Sequence, residues 1–144
     1  MTALERGDAP AAAIPPSEIE AAARADAAQA AAHTEATTRE VYSQGERVGG
    51  RYRAVLWSRG EPGAGTVTGP AVRRTTVWET HTHLNNPGVT RTGDWPSADS
   101  TGRLSGRSFF YSFIGTVEGN NFYVLTYDRA RDITYDPVRL GPLR

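Results

Sequence analysis

The chain of 144 residues contains no cysteine, and its formal charges cancel. Without cysteine there can be no disulfide, no thiolate nucleophile and no thiolate metal site, so a zinc site would need nitrogen and oxygen ligands. All the basic residues are arginine and none is lysine, for which a GC-rich genome is a sufficient explanation. The neutral balance and the lack of an arginine-rich patch argue against nucleic acid as a partner.

Long apolar runs are also missing. No apolar stretch approaches the roughly 20 residues that span a bilayer. The N-terminal stretch lacks the basic region and apolar core of a signal peptide. We therefore expect no membrane partner, and either a cytoplasmic location or delivery by a specialised secretion machine.

The length predicts a single domain. Residues 1–16 are rich in alanine and proline, and we expect them to form a flexible leader before a domain at 17–144. Ser17 and Glu20 fit the capping box S-x-x-E, which predicts the start of a helix. The alanine-rich stretch that follows favours continuation of this helix to about Thr38.

Strand signals begin at Glu40 and continue to the end of the chain. The runs 40–47 and 51–59 flank Gly49-Gly50 and predict a hairpin. Further strands are predicted at 72–83, 109–117, 122–127 and 133–135, with a polar loop reaching Asp99. The predicted fold class is α+β, with one N-terminal helix packed on a curved, mostly antiparallel sheet.

The most informative motif is His81-Thr82-His83, which lies in a run of β-branched residues. Residues i and i+2 of a strand point to the same face, so both imidazoles would converge on one point. A carboxylate from the following loop, Asp94 or Asp99, could supply a third ligand. Three protein ligands leave the fourth tetrahedral position of zinc free for water, as in catalytic zinc sites.

A zinc hydrolase also needs a carboxylate that takes a proton from water and passes it to the leaving amine. Glu40, between the predicted helix and the first strand, is the candidate for this general base. Taken alone, it would be an ordinary exposed carboxylate. Its significance depends on the histidine pair that follows it.

The order of these segments resembles the JAB/MPN metalloprotease family, also called JAMM. Three segments follow one another in the order of that family. Its Glu-Val strand corresponds to Glu40-Val41-Tyr42, its His-x-His segment to His81-Thr82-His83, and its Ser-x-x-Asp segment to Trp95-Pro96-Ser97-Ala98-Asp99. The resemblance implies a JAB/MPN-like fold. It also implies Zn²⁺ held by His81, His83 and Asp99, with Glu40 as the base. Asp99 is preferred to Asp94 because Trp95 to Asp99 reproduces the family's aromatic-to-aspartate spacing.

Within this superfamily the chain looks most like a bacterial branch of unknown function found at the C-termini of polymorphic toxins. This likeness depends on three features: the long loop that follows the histidines, the aromatic Trp95, and the closing Tyr135-Asp136-Pro137. It implies a toxin-like effector that hydrolyses peptide or isopeptide bonds of a protein or peptide substrate. An immunity or carrier protein is the implied partner.

The chain departs from the family pattern at the serine. Pro96 stands three residues before Asp99, where the family serine would assist the oxyanion, and the serine is displaced to Ser97. Loss of one oxyanion donor typically costs about 10²–10³ in rate. We expect Ser97 to take this role, and the alternative is a binding module of the same fold that recognises a partner's tail without turnover.

Overall fold

A computed structural model describes residues 3–144, and Met1 and Thr2 lie outside the described residues. The helices are α1 (Ser17–Thr37) and α2 (Asp94–Ser105). The strands are β1 (Leu4–Glu5), β2 (Val41–Val48), β3 (Arg51–Arg59), β4 (Thr76–His83), β5 (Phe109–Thr116), β6 (Asn121–Asp128), β7 (Ile133–Thr134) and β8 (Val138–Pro142). None of the described helices is both long and apolar enough to cross a membrane.

The eight strands form one sheet in the order β1-β8-β6-β5-β4-β2-β3, with β7 paired to β6. The pairs β4–β5 and β1–β8 are parallel, and the other neighbours are antiparallel. Parallel neighbours need a crossover connection, and α2 lies within the one that joins β4 to β5. The predicted α+β class with a mostly antiparallel sheet is confirmed.

The two helices cover opposite faces of the sheet. On α1, the fully buried Ala23, Ala27 and Ala31 share a hydrophobic cluster with Phe113 of β5, and these small side chains bring the helix close to the strands. The next residue of β5, Ile114, points to the other face, where it clusters with residues of and around α2. The sequence predicts the first helix well, but not the second.

A buried carboxylate ties α1 to the hairpin of β2 and β3. Asp26 is 7% exposed and accepts hydrogen bonds from the Ser43 hydroxyl and from Trp57 Nε1, the latter at 2.8 Å. Burial raises the pKa of Asp26, and the two hydrogen bonds offset only part of that rise. These contacts lie on the face of the sheet that α1 covers.

The capping box predicted at the start of α1 is wrong. Ser17 is already helical, and the residue before it, Pro16, makes no side-chain capping bond. Glu20 instead pairs with Arg6 at 2.7 Å and with Arg24 at 3.0 Å. The ion pair to Arg6 attaches the N-terminal segment to the helix.

The predicted flexible leader, residues 1–16, differs from the structure over 3–16. Leu4 and Glu5 form β1 beside β8, two short 3-10 turns follow, and Ala13 is 1% exposed within the main core. The segment packs because it completes one edge of the sheet and one side of the core. The composition alone did not indicate these partners.

The hairpin around Gly49-Gly50 is confirmed, and both glycines have positive φ, at 58° and 80°. The polar loop predicted up to Asp99 is wrong from Asp94 onward, because α2 begins there and continues past Gly102. Gly102 lies against Tyr127 of β6, and a Cβ at this position would approach the Tyr127 Cβ to 2.4 Å. The glycine therefore permits close packing of α2 on the sheet.

We expect Gly102→Ala to lower the free energy of unfolding by about 1–2 kcal/mol. The added methyl group overpacks the contact with Tyr127, and this outweighs the better helix propensity of alanine. Urea unfolding monitored by circular dichroism measures the change. The matched control is Ser100→Ala, an exposed position on α2, where the change should stay within about 0.5 kcal/mol. Equal stability of the two variants would contradict close packing at Gly102.

Candidate metal centre

The middle residue of the His-x-His motif fixes the direction of the two histidines. Thr82 Oγ1 lies 2.7 Å from Thr34 Oγ1 of α1 and accepts a hydrogen bond from the Val41 amide at 2.9 Å. Thr82 is therefore anchored on the α1 face of the sheet. Because neighbours on a strand alternate, His81 and His83 project from the other face, toward α2.

Asp94 meets both imidazoles at the first residue of α2. The His81 and His83 Nε2 atoms are 3.1 Å apart, and Asp94 Oδ1 is 2.8 Å from His81 Nε2 and 3.3 Å from His83 Nε2. Tetrahedral zinc with ligand bonds of 2.0–2.1 Å would separate its ligand atoms by about 3.3 Å. The three donor atoms therefore have nearly the spacing that the ion requires, and the residues fit a metal of this kind.

Outer hydrogen bonds orient two of these three donors. His83 Nδ1 lies 3.0 Å from the Gly88 carbonyl, which only accepts, so Nδ1 carries a hydrogen and Nε2 is the ring nitrogen left to face a metal. The second oxygen of Asp94 accepts a bond from the Thr90 amide at 2.7 Å. The Asp94 amide donates in return to Thr90 Oγ1 at 2.9 Å. This reciprocal pair fixes the carboxylate at the start of α2.

In this cluster, the carboxylate of Asp94 and the histidines stabilise each other's charged forms. Burial by itself raises the pKa of Asp94, but hydrogen bonds with His81 and His83 hold that pKa well below its usual range. Burial lowers the pKa of His81, and the hydrogen bond and charge of Asp94 outweigh it, so the net shift is upward. An ionised Asp94 is thus the stable partner of this histidine pair.

Glu40 lies beside this cluster because of the pairing of β2 with β4. Tyr42 is opposite His81 in this antiparallel pair, so Glu40, two residues before Tyr42, lies next to His83. Glu40 is 6% exposed, and its carboxylate makes no hydrogen bond within residues 3–144. Burial raises its pKa, and the charges of His83 and His81 counteract part of that rise. The structure therefore places the predicted base next to the histidines.

Asp99, the preferred third ligand, does not reach the histidines, and this preference is corrected to Asp94. Asp99 Oδ1 accepts a hydrogen bond from Thr134 Oγ1 at 2.9 Å, and its other oxygen pairs with Arg103. At 3.6 residues per turn, positions five apart on a helix point about 140° away from each other. Asp94 and Asp99 both belong to α2, so only one of them can face β4.

Ser97 lies one helical turn after Asp94 and borders the same cleft. Its side chain is exposed, and the described residues give its hydroxyl no hydrogen-bond partner. With Asp94 as the aspartate, the serine position of a Ser-x-x-Asp pattern falls on Arg91, which is exposed. Ser97 therefore lies near the cluster without occupying the position that the pattern gives to serine.

The cluster opens into a cleft of about 670 Å³ between the loop after β3 and helix α2. Gln44 of β2 holds this loop by donating to the carbonyls of Pro70 at 2.8 Å and Ala71 at 3.3 Å. Gly69 of the loop lies directly on the Tyr42 ring, where a Cβ would have no room. The cleft therefore has one wall pinned to the sheet and one formed by α2.

Sequence reasoning missed a second buried carboxylate in this cleft, Glu79. It accepts hydrogen bonds from Tyr42 Oη at 2.9 Å and from Ser112 Oγ at 2.7 Å. Burial raises the pKa of Glu79, and these two donors offset part of the rise. Its position two residues before His81 was the available signal, because it places Glu79 on the same face of β4.

Comparison with known proteins adds no relative. No family model matches the chain, and searches of curated proteins and of solved structures gave no match. The function is therefore inferred from the geometry of the site.

We expect purified protein to bind close to one zinc ion per chain, as measured by inductively coupled plasma mass spectrometry and titration calorimetry. Substituting His81, His83 or Asp94 by alanine should reduce zinc affinity by more than the roughly 10–100-fold that loss of an outer partner costs. Asp99→Ala is the matched control and should bind zinc normally. Loss of zinc in Asp99→Ala together with retention in Asp94→Ala would contradict the assignment.

Proposed function

We propose that the protein is a zinc-dependent hydrolase of peptide or isopeptide bonds. The observation that carries the proposal is the Glu40 carboxylate beside the His81, His83 and Asp94 donors. It borders an open cleft and has no hydrogen-bond partner among residues 3–144. Three protein donors with tetrahedral spacing leave a position for water, which is typical of catalytic rather than structural zinc.

Each residue then has a defined task. When bound, zinc supplies a Lewis acid that polarises a carbonyl and lowers the pKa of water. Glu40 receives the proton of the attacking water and delivers it to the leaving nitrogen, so one carboxylate acts first as base and then as acid. The Ser97 hydroxyl donates to the developing oxyanion, for which it has no competing partner among the described side chains.

The substrate is a protein or peptide, and its backbone enters the cleft between the loop at 63–72 and α2. The resemblance to bacterial toxin-associated domains supports an effector as the setting of this activity. An immunity or carrier protein would then control access to the cleft. Neither the setting nor this partner is needed for the chemical assignment.

The second candidate function is a binding module with the same cleft and little turnover. Arg91 in the serine position of the Ser-x-x-Asp pattern favours it, since an exposed guanidinium replaces the expected hydroxyl donor. Glu40 opposes it, because a carboxylate that borders the cleft beside the three donors can move a proton, and a pure binding site has no need of one there.

We expect Glu40→Gln to lower hydrolysis by about 10²–10⁴ while leaving zinc content unchanged. Glutamine keeps the size of the side chain but cannot accept the proton. The assay uses zinc-loaded protein with a quenched fluorescent peptide library, and in parallel with lysine ε-amides that model an isopeptide bond.

Asp99→Asn provides the control, because it alters a carboxylate on α2 that points away from the cluster. It should keep full activity. Zinc-loaded wild type that cleaves neither substrate class, or Glu40→Gln that cleaves as fast as wild type, would favour the binding module over the hydrolase.

A further inference from the structure

The exposed apolar side chains of this protein are concentrated in one place. The large hydrophobic residues that are exposed within residues 3–144 are Leu104, Phe109 and Ile133. Phe109 begins β5 and lies in one row of the sheet with Asp128 of β6 and Ile133 of β7. Leu104 belongs to the last turn of α2, shortly before β5, and is 78% exposed. All three therefore lie at the end of the sheet where β4 and β5 begin, away from the metal cluster.

A groove of about 700 Å³ lies at this end, which we call the apolar groove. Ile19 in the first turn of α1 and Leu104 of α2 border it on two sides, and Val77, Phe109 and Tyr111 border it from the sheet. The side chains of Ile19, Val77 and Tyr111 are buried at its base, whereas Leu104 and Phe109 are exposed at its rim. Exposed apolar surface of this kind commonly marks a site that binds another molecule.

The charge around the apolar groove has one sign. Arg74 and Arg107 border it, and no aspartate or glutamate among residues 3–144 does. The nearby ion pairs use other arginines, Arg73 and Arg103, and neither Arg74 nor Arg107 makes one within the described chain. Burial raises the pKa of Tyr111, and the charge of Arg107 counteracts part of that rise, so this charge is felt inside the groove. The rim therefore carries two cations without an acidic partner.

The hairpin of β2 and β3 extends this positive field. Glu46, the carboxylate of its tip, already pairs with Arg73 at 3.3 Å. Arg47 lies over the Tyr52 ring, 5.7 Å from the ring centroid, and Tyr52 packs against the core cluster that contains Tyr111. Residues 47–74 contain one acidic residue, Glu61, against Arg47, Arg51, Arg53, Arg59, Arg73 and Arg74. The chain is neutral as a whole, so its positive charge is unevenly distributed, and this end attracts anionic partners.

An apolar centre with a cationic rim fits an acidic protein segment better than other anionic ligands. Protein interfaces combine an apolar core with a polar rim, and guanidinium groups bind carboxylates through two parallel hydrogen bonds. Nucleic acid offers phosphates, but no aliphatic side chain that would fill the groove. A lipid surface takes up apolar side chains that project outward, whereas Ile19, Val77 and Tyr111 lie at the base of a concave groove.

We propose that the apolar groove is a docking site for a partner protein, and that it holds a bulky apolar side chain flanked by aspartate or glutamate. Arg74 and Arg107 pair with the flanking carboxylates, and Leu104 and Phe109 contact the apolar side chain. The groove lies away from the metal donors, so the proposal does not depend on the hydrolase assignment. Leu104 borders both the groove and the cleft, so a docked partner reaches one rim of the cleft.

The test uses three synthetic peptides of equal length. The first, acetyl-Asp-Glu-Leu-Phe-Glu-Asp-amide, combines an apolar centre with acidic flanks. The second has asparagine and glutamine in place of the acidic residues, and the third has serine in place of leucine and phenylalanine. Titration of amide chemical shifts in the full-length protein at low ionic strength gives both the affinity and the site. We expect the first peptide to bind about tenfold more tightly than either of the others, since each lacks one of the two contributions.

Variants of the rim identify the groups that bind. Arg74→Gln combined with Arg107→Gln should weaken binding of the first peptide about tenfold, and Leu104→Ser should do the same. The matched control is Arg91→Gln, which removes an exposed arginine from the segment between β4 and α2, at the metal-cluster end. It should leave the affinity unchanged. Circular dichroism verifies that each variant is folded.

Equal affinity for the three peptides, unchanged affinity in the rim variants, or shifts confined to residues 81–94 would overturn the proposal. Two further measurements test other occupants of the groove. A single-stranded oligonucleotide, or a phosphatidylcholine vesicle containing phosphatidylserine, that binds more tightly than the first peptide and depends on Arg74 and Arg107 would replace the protein partner. Sedimentation that detects a dimer of wild type but not of Leu104→Ser would assign the groove to a second copy of the chain instead.

Discussion

The alternation of side chains along β4 is the constraint on which the site depends. This strand lies inside the sheet and pairs with β2 on one side and β5 on the other. A slip of one residue would turn Thr82 toward α2 and both histidines into the alanine-rich contact with α1. The bonds from Thr82 to Thr34 and to the Val41 amide oppose such a slip, so the first helix indirectly orients the metal ligands.

The sequence predicts the parts of the site that follow from local periodicity. A two-residue repeat was enough to place His81 and His83 on one face, and the three segments in order were enough to nominate Glu40. The proximity of Glu40 to His83 required the pairing of β2 with β4, which no local pattern specifies. The interpretation as a JAB/MPN-like hydrolase remains a proposal, since the structure gives an α+β class that many families share.

The third ligand shows why the rest could not be predicted. The polar segment after the histidines was interpreted as a loop up to Asp99, and the aromatic-to-aspartate spacing from Trp95 then favoured Asp99 over Asp94. Pro96 is in fact in the first turn of α2, where a missing amide hydrogen costs nothing, and Gly102 makes room for Tyr127. In a helix with 3.6 residues per turn, the side chains of Asp94 and Asp99 point in different directions, and only one of them can face the histidines. The spacing therefore favoured the wrong aspartate, and the tertiary contacts that make the segment a helix bring Asp94 to the histidines.

The reciprocal bonds between Thr90 and Asp94 have a consequence for the folding of the segment between His83 and α2. An ion held by His83 and Asp94 would close this segment into a ring, joining a central strand to the helix that follows it in the crossover. Ring closure of this kind removes conformations of the unfolded chain. The free energy of metal binding would therefore also stabilise the folded crossover against unfolding. The bound metal would then hold the strand and the helix together. Its occupancy would increase the hydrogen-exchange protection of the amides between Leu84 and Gly93.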